Sequence, residues 1–137
     1  MTNYREKVNA EIENINQVLS LLSDNNVNNL SPLELAGTAS ILHSFYNGIE
    51  NILKQSIISN GNSIPIGKSW HKQLLILAKD TIPLTNKLVK ELLPYLAFRH
   101  FFSHAYVLDL DPNKIEPLLL NVRVVFNEFI ELVIVKN

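Results

Sequence analysis

The segment that opens with Ser31-Pro32-Leu33-Glu34 and closes at Asn60-Gly61 constrains this chain more than any other. A serine side chain can accept a hydrogen bond from the free N–H groups that begin a helix. Proline in the first turn loses nothing by lacking an N–H, and glutamate three positions after the serine can reach back to it. Between the two signals Leu35, Leu42, Phe45, Ile49, Ile52, Leu53 and Ile57 fall at the spacing of a helical stripe. Asn60-Gly61 then offers the left-handed conformation at which helices stop. A long helix is expected over residues 32–59. Gly48 inside it costs about 1 kcal/mol relative to alanine; it either admits a close neighbour or is simply tolerated.

Other segments repeat the pattern around this helix. Val8, Ile12, Ile15, Val18, Leu19 and Leu22 recur at three- and four-residue steps, predicting a first helix over 4–22. The run from Ser23 to Asn29 is rich in short polar side chains that compete for backbone hydrogen bonds, and it reads as a loop. After the turn-rich stretch 61–67, a short helix is expected over 70–79 with Leu74, Leu75 and Leu77. A fourth should run over 84–108, kinked where Pro94 removes a backbone hydrogen bond. Asp111-Pro112 repeats the cap-plus-proline signal before a last helix carrying Ile115, Leu118, Leu119, Val122, Phe126, Phe129, Ile130 and Val133; Pro117 leaves its start open. The fold class is therefore all-α, an up-and-down bundle of four to five helices in one domain, 1–137. The helices at 32–59 and after 111 look apolar over more than one stripe, which a second copy of the chain or a well-filled monomer core would each explain.

Composition limits what such a bundle can do. A net charge of −1 with 18% charged residues leaves no chain-wide basic field for nucleic acid, so any such contact has to be local. Absence of cysteine excludes disulfides, thiolate metal sites and a cysteine nucleophile. The polar start and the lack of any apolar run long enough to span a bilayer predict a soluble cytoplasmic protein with no membrane contact.

Usable chemistry is concentrated in Phe98-Arg99-His100-Phe101-Phe102-Ser103-His104-Ala105-Tyr106. Arginine is always charged and grips phosphate through a two-pronged fork, while histidine exchanges protons near neutral pH. On an ideal helix His100 and His104 share a face, but Arg99 stands about 140° from His104. A distorted helix end, or a second subunit, is needed for both to act on one phosphate. The pattern then reads as metal-free RNA cleavage, with histidine moving the proton of a ribose 2′-hydroxyl or of the leaving oxygen and arginine stabilising charge on phosphorus. Structural histidines are the bland alternative. Tyr106 is either an anchor with a wet hydroxyl or an acceptor of a nucleotidyl group. His43, Tyr46, Asn47, Glu50 and Lys54 form a polar stripe on the long helix that is either solvated or lines the cleft. In the second case His43, Asn47 and Glu50 orient the residues around Arg99. Trp70-His71 reads as a packed indole beside an exposed imidazole. Asp109, Asp111 and Glu116 have no histidine at ligand spacing, and no metal or cofactor is expected.

Leu42 through Glu50, Trp70-His71 followed by Leu74-Leu75, and Phe98-Arg99-His100 through His104-Ala105-Tyr106 together resemble the HEPN superfamily. Within it they are similar to the HepT-like toxins encoded beside minimal nucleotidyltransferase antitoxins. The last segment matches the family's pattern of arginine, four residues, histidine, one residue, tyrosine; Ser103 departs from the apolar residue many relatives carry there. The resemblance implies a helical bundle that dimerises so that two motifs line one cleft, and a metal-independent ribonuclease acting on RNA. It also implies roles: Arg99 for the phosphate, His104 as acid or base, His100 as polar helper, and Tyr106 as the residue a nucleotidyltransferase antitoxin adenylylates.

Overall fold

A computed structural model describes residues 3–24 and 26–136; Met1, Thr2 and Asn25 of the segments discussed above lie outside them. Five α-helices and two short 3-10 turns make up the fold, with no strand among the described residues: α1 (Tyr4–Leu19), α2 (Pro32–Ser59), α3 (Trp70–Ala78), α4 (Asn86–Phe102) and α5 (Pro112–Lys136). Each helix packs against the next, and α2 touches all four others. The result is an all-α bundle built around one central rod.

α2 has the bounds its sequence signals predict, and both signals operate. The Ser31 hydroxyl accepts from the Glu34 N–H at 3.1 Å and the Glu34 carboxylate accepts from the Ser31 N–H at 2.9 Å. Gly61 takes φ 79°, and the Asn62 N–H turns back to the Ile57 carbonyl. Leu42, Phe45, Tyr46, Ile49, Ile52, Leu53 and Ile57 are almost wholly buried. Each such side chain contributes about 1.5–3 kcal/mol. The apolar breadth of α2 is therefore used within one chain and gives no reason to invoke a second copy. α5 differs, since Leu120 and Val124, one turn apart, stay exposed. Gly48 admits a close neighbour, because a Cβ there would stand 2.5 Å from Ile15 Cγ1 on α1.

Four boundaries differ from those expected, the smallest at α3, which ends at Ala78 and not at 79. α1 ends at Leu19 and not at 22, because the Ser20 hydroxyl donates to the Gln17 carbonyl and the Leu21 and Leu22 N–H groups bond three residues back. Leu22 remains buried, so the apolar pattern outlasts the helix. The α1 end is also tied to α5, where Arg123 Nη2 donates to the Leu19 carbonyl. α4 begins after Thr85, whose hydroxyl accepts from the Leu88 N–H, and it runs through Pro94 to stop at Phe102, six residues short of the expected 108. α5 starts at Pro112 and continues through Pro117. Phe45 of α2 meets Tyr95 of α4 and Phe126 of α5 edge-to-face at 5.3 and 5.9 Å between ring centres, and the Tyr95 hydroxyl donates to the Leu118 carbonyl. These contacts fix α4 between α2 and α5 and so place its last turn.

Candidate active site

α4 carries Arg99 and His100 in its last turn, where positive charge is favoured by the free carbonyls of a helix end. The helix then closes on itself: the Ser103 hydroxyl donates to the His100 carbonyl at 2.9 Å and the His104 N–H to the Phe101 carbonyl. Ser103 thus serves as a polar cap where an apolar residue was the family expectation. Because His104 lies past the helix end, ideal helical angles do not govern its relation to Arg99. Arg99, His100, Ser103 and His104 line one groove of about 550 Å³, whose other wall is Gly67–Lys72. The His100 and His104 rings stand 5.1 Å apart, edge to face.

Tyr106 does not line this groove. It is 81% exposed, held by its N–H donating to the Asp109 carboxylate at 2.9 Å and its carbonyl accepting from the Asp109 N–H. Asp111 caps the start of α5 through the Asn113 N–H. Both acidic side chains thus have structural partners. A separate groove of about 520 Å³ between α4 and the start of α5 is lined by Phe98, Phe101 and Leu118 among others and holds no arginine or histidine.

The polar stripe of α2 is not a solvated face. Glu50 and Tyr46 are buried, and His43 and Asn47 are half-buried. The Arg99 Nε–H donates to Asn47 Oδ1 at 2.9 Å and stands 3.6 Å from the Glu50 carboxylate. Asn47 Nδ2 lies 3.4 Å from His43 Nδ1, and the His43 ring packs 5.1 Å from that of Phe102. Burial, and secondarily the Arg99 charge, push the His43 pKa below its ordinary value. Burial, reinforced by Glu50, pushes the Tyr46 phenol far up; its hydroxyl has no hydrogen-bond partner among the described residues. Asn47 and Glu50 thus stand against Arg99, and His43 stands behind Asn47.

Sequence reasoning missed His71. Expected to be exposed, it is mostly enclosed, with Nδ1 2.8 Å from one Glu50 oxygen and 3.0 Å from the other, and Nε2 3.2 Å from Arg99 Nη1. Its ring lies on Trp70 at 3.6 Å between centres, and Lys54 Nζ sits 4.6 Å from the Trp70 ring centre. A signal existed in Glu50 itself: a carboxylate flanked by Ile49, Ile52 and Leu53 needs a cationic or donor partner from another element.

No helix among the described residues is long and apolar enough to cross a membrane. Searches among curated proteins and among solved structures return no significant match. A family model described as HepT-like protein matches residues 37–134, a span that runs from the first turns of α2 into α5 and contains every residue of the groove and of the α2 stripe behind it. The chain belongs to the HepT-like protein family.

Proposed function

We propose that this protein is a metal-independent ribonuclease toxin of a toxin–antitoxin pair, acting as a homodimer and held in check by a minimal nucleotidyltransferase antitoxin. The observation that carries this reading is the single groove lined by Arg99, His100 and His104. A ribose 2′-oxygen bonds to phosphorus while a histidine takes its proton, the bond from phosphorus to the 5′-oxygen breaks, and that oxygen receives a proton from the second histidine. The products are a cyclic phosphate end and a free 5′-hydroxyl. Arg99 stabilises the charge gathering on phosphorus; His104 is the acid or base and His100 its helper. Asn47, Glu50 and His43 act behind Arg99.

Tyr106 serves as the switch. Its exposure makes the phenol reachable by an enzyme that attaches AMP, and the added phosphate brings bulk and negative charge two residues beyond His104, whose groove uses a cation. Homodimerisation is supported by the apolar side chains left uncovered on α4 and α5, Phe101, Leu120 and Val124.

A second reading, a noncatalytic helical module that docks a nucleotidyltransferase, is favoured by Tyr106 and the 94% exposed Leu108, which stand together on the turn after α4. Expression of the chain alone separates the two. Growth arrest relieved by Arg99→Ala and by His104→Ala supports the toxin. Harmless expression, with a nucleotidyltransferase retained through Tyr106 and Leu108, supports the module.

A further inference from the structure

The ring of His71 sits between a group that can only accept hydrogen bonds and a group that can only donate them. An ionised carboxylate has no hydrogen to give, so His71 Nδ1, within 3.0 Å of both Glu50 oxygens, must carry the ring hydrogen and donate it. A guanidinium has no lone pair to offer, so His71 Nε2, 3.2 Å from Arg99 Nη1, must present its own lone pair. The two neighbours demand the same species, neutral imidazole with its hydrogen on Nδ1. Hydrogen bonds then run in one direction, from Arg99 through His71 to Glu50. With the Nε–H already given to Asn47, Arg99 is held at two of its three nitrogens, and its Nη2 hydrogens are free of these bonds.

We propose that His71 is a positioning residue for Arg99 and that its protonation frees the Nη1 end of the guanidinium, which Asn47 then holds at Nε alone. An imidazolium carries a hydrogen on Nε2 as well, so the acceptor facing Arg99 becomes a second donor and a like charge appears beside it. The hydrogen bond to Glu50 survives that change and strengthens, which keeps the ring in place while the arginine loses one of its two holds. Other charged groups around the ring are Lys54 of α2, across the Trp70 indole, Lys68 and Lys72 on its own segment, and His100 and His104 at the end of α4. All of these, when charged, are cationic, and Glu50 is the anion that the ring touches among the described residues. Only the effect on RNA cleavage rests on the proposed function; the hold on Arg99 does not.

Nuclear magnetic resonance on the full chain with ¹⁵N-labelled histidine and arginine tests the hold directly. Above neutral pH the His71 nitrogens should report hydrogen on Nδ1, and a protected Arg99 Nη1–H signal should be present. On acidification that signal should shift or broaden with the same midpoint as the His71 ring, and the dependence should vanish in His71→Gln, whose amide oxygen still accepts from Arg99. Hydrogen on Nε2, or an Arg99 signal indifferent to the His71 titration, overturns the proposal. In cleavage assays His71→Leu should lower kcat by about 100-fold with little change in KM, while His71→Gln keeps most of the rate. Equal rates for His71→Leu and wild type also overturn it. A wild-type protein that cuts no RNA removes the ribonuclease reading and leaves the resonance result to decide the hold.

Discussion

Replacing Glu50 by alanine puts the packing behind Arg99 to a quantitative test. The Glu50 side chain is 3% exposed and faces His71 at 2.8 Å and Arg99 at 3.6 Å. Removing the carboxylate leaves the Arg99 charge uncompensated and the neutral His71 without an acceptor for its N–H; breaking a fully buried ion pair costs about 3–5 kcal/mol. His71 and Arg99 keep 21% and 24% of their side-chain surface, so water from the groove can reach them, and the expected cost drops to about 2–3 kcal/mol. For a chain of 137 residues that corresponds to a melting temperature lower by about 6–15 °C. Glu50→Gln keeps an acceptor for the His71 N–H and loses only the charge, so it should cost about 1–2 kcal/mol. Thermal unfolding followed by circular dichroism, with urea titrations as a second measure, reads both. An alanine variant that melts within about 2 °C of wild type would falsify the claim that this carboxylate is a paired, buried charge. A glutamine variant as damaged as the alanine one would refute the division between charge and hydrogen bond.

Three further expectations follow from other contacts. Gly48→Ala should destabilise by about 1–2 kcal/mol net, because its Cβ would meet Ile15 Cγ1 and Cδ1 at 2.5 and 2.7 Å, which outweighs the gain in helix propensity. In an Ile15→Ala background only a Cβ at 4.0 Å remains, and the same substitution should stabilise by up to about 1 kcal/mol; equal effects in both backgrounds refute the contact. His43 has its pKa lowered on folding from 6.5, so between that value and the folded one the unfolded chain binds more protons: its contribution is whole above pH 6.5 and is lost as pH falls through the folded value. His43→Gln should flatten that acid limb in urea titrations at stepped pH. Tyr95→Phe leaves the Leu118 carbonyl without its 2.8 Å donor and should cost about 1–2 kcal/mol in the same titrations.

How far the sequence spoke for the structure depended on whether the information was local. α2 was legible residue by residue because its start and stop are written in adjacent positions, Ser31 with Glu34 and Asn60 with Gly61, and both act on backbone groups within one turn. The end of α4 was not. Leu108 continues the apolar pattern yet is almost fully exposed, while the events that stop the helix are bonds made by Ser103 and Asp109 that no periodicity reveals. Helical angles set Arg99 and His104 apart, and of the two routes the sequence left open, a distorted helix end or a second subunit, the early end of α4 places both in one groove. His71 was hidden for a different reason. Its partners are 21 and 28 residues away, and only the packing of α3 against α2 and α4 joins them. The family resemblance supplied the groove residues by their pattern, whereas the hold on Arg99 emerged from side-chain geometry alone.

The central claim is that Arg99 and His104 cut RNA without a metal, and it is tested most directly by incubating purified protein with RNA in excess chelator. Wild type should produce fragments ending in a cyclic phosphate. His104→Ala and Arg99→Ala should produce none, with the His104 variant retaining the helical circular dichroism of wild type. Cleavage that stops on adding chelator, or that persists unchanged in His104→Ala, would contradict the account.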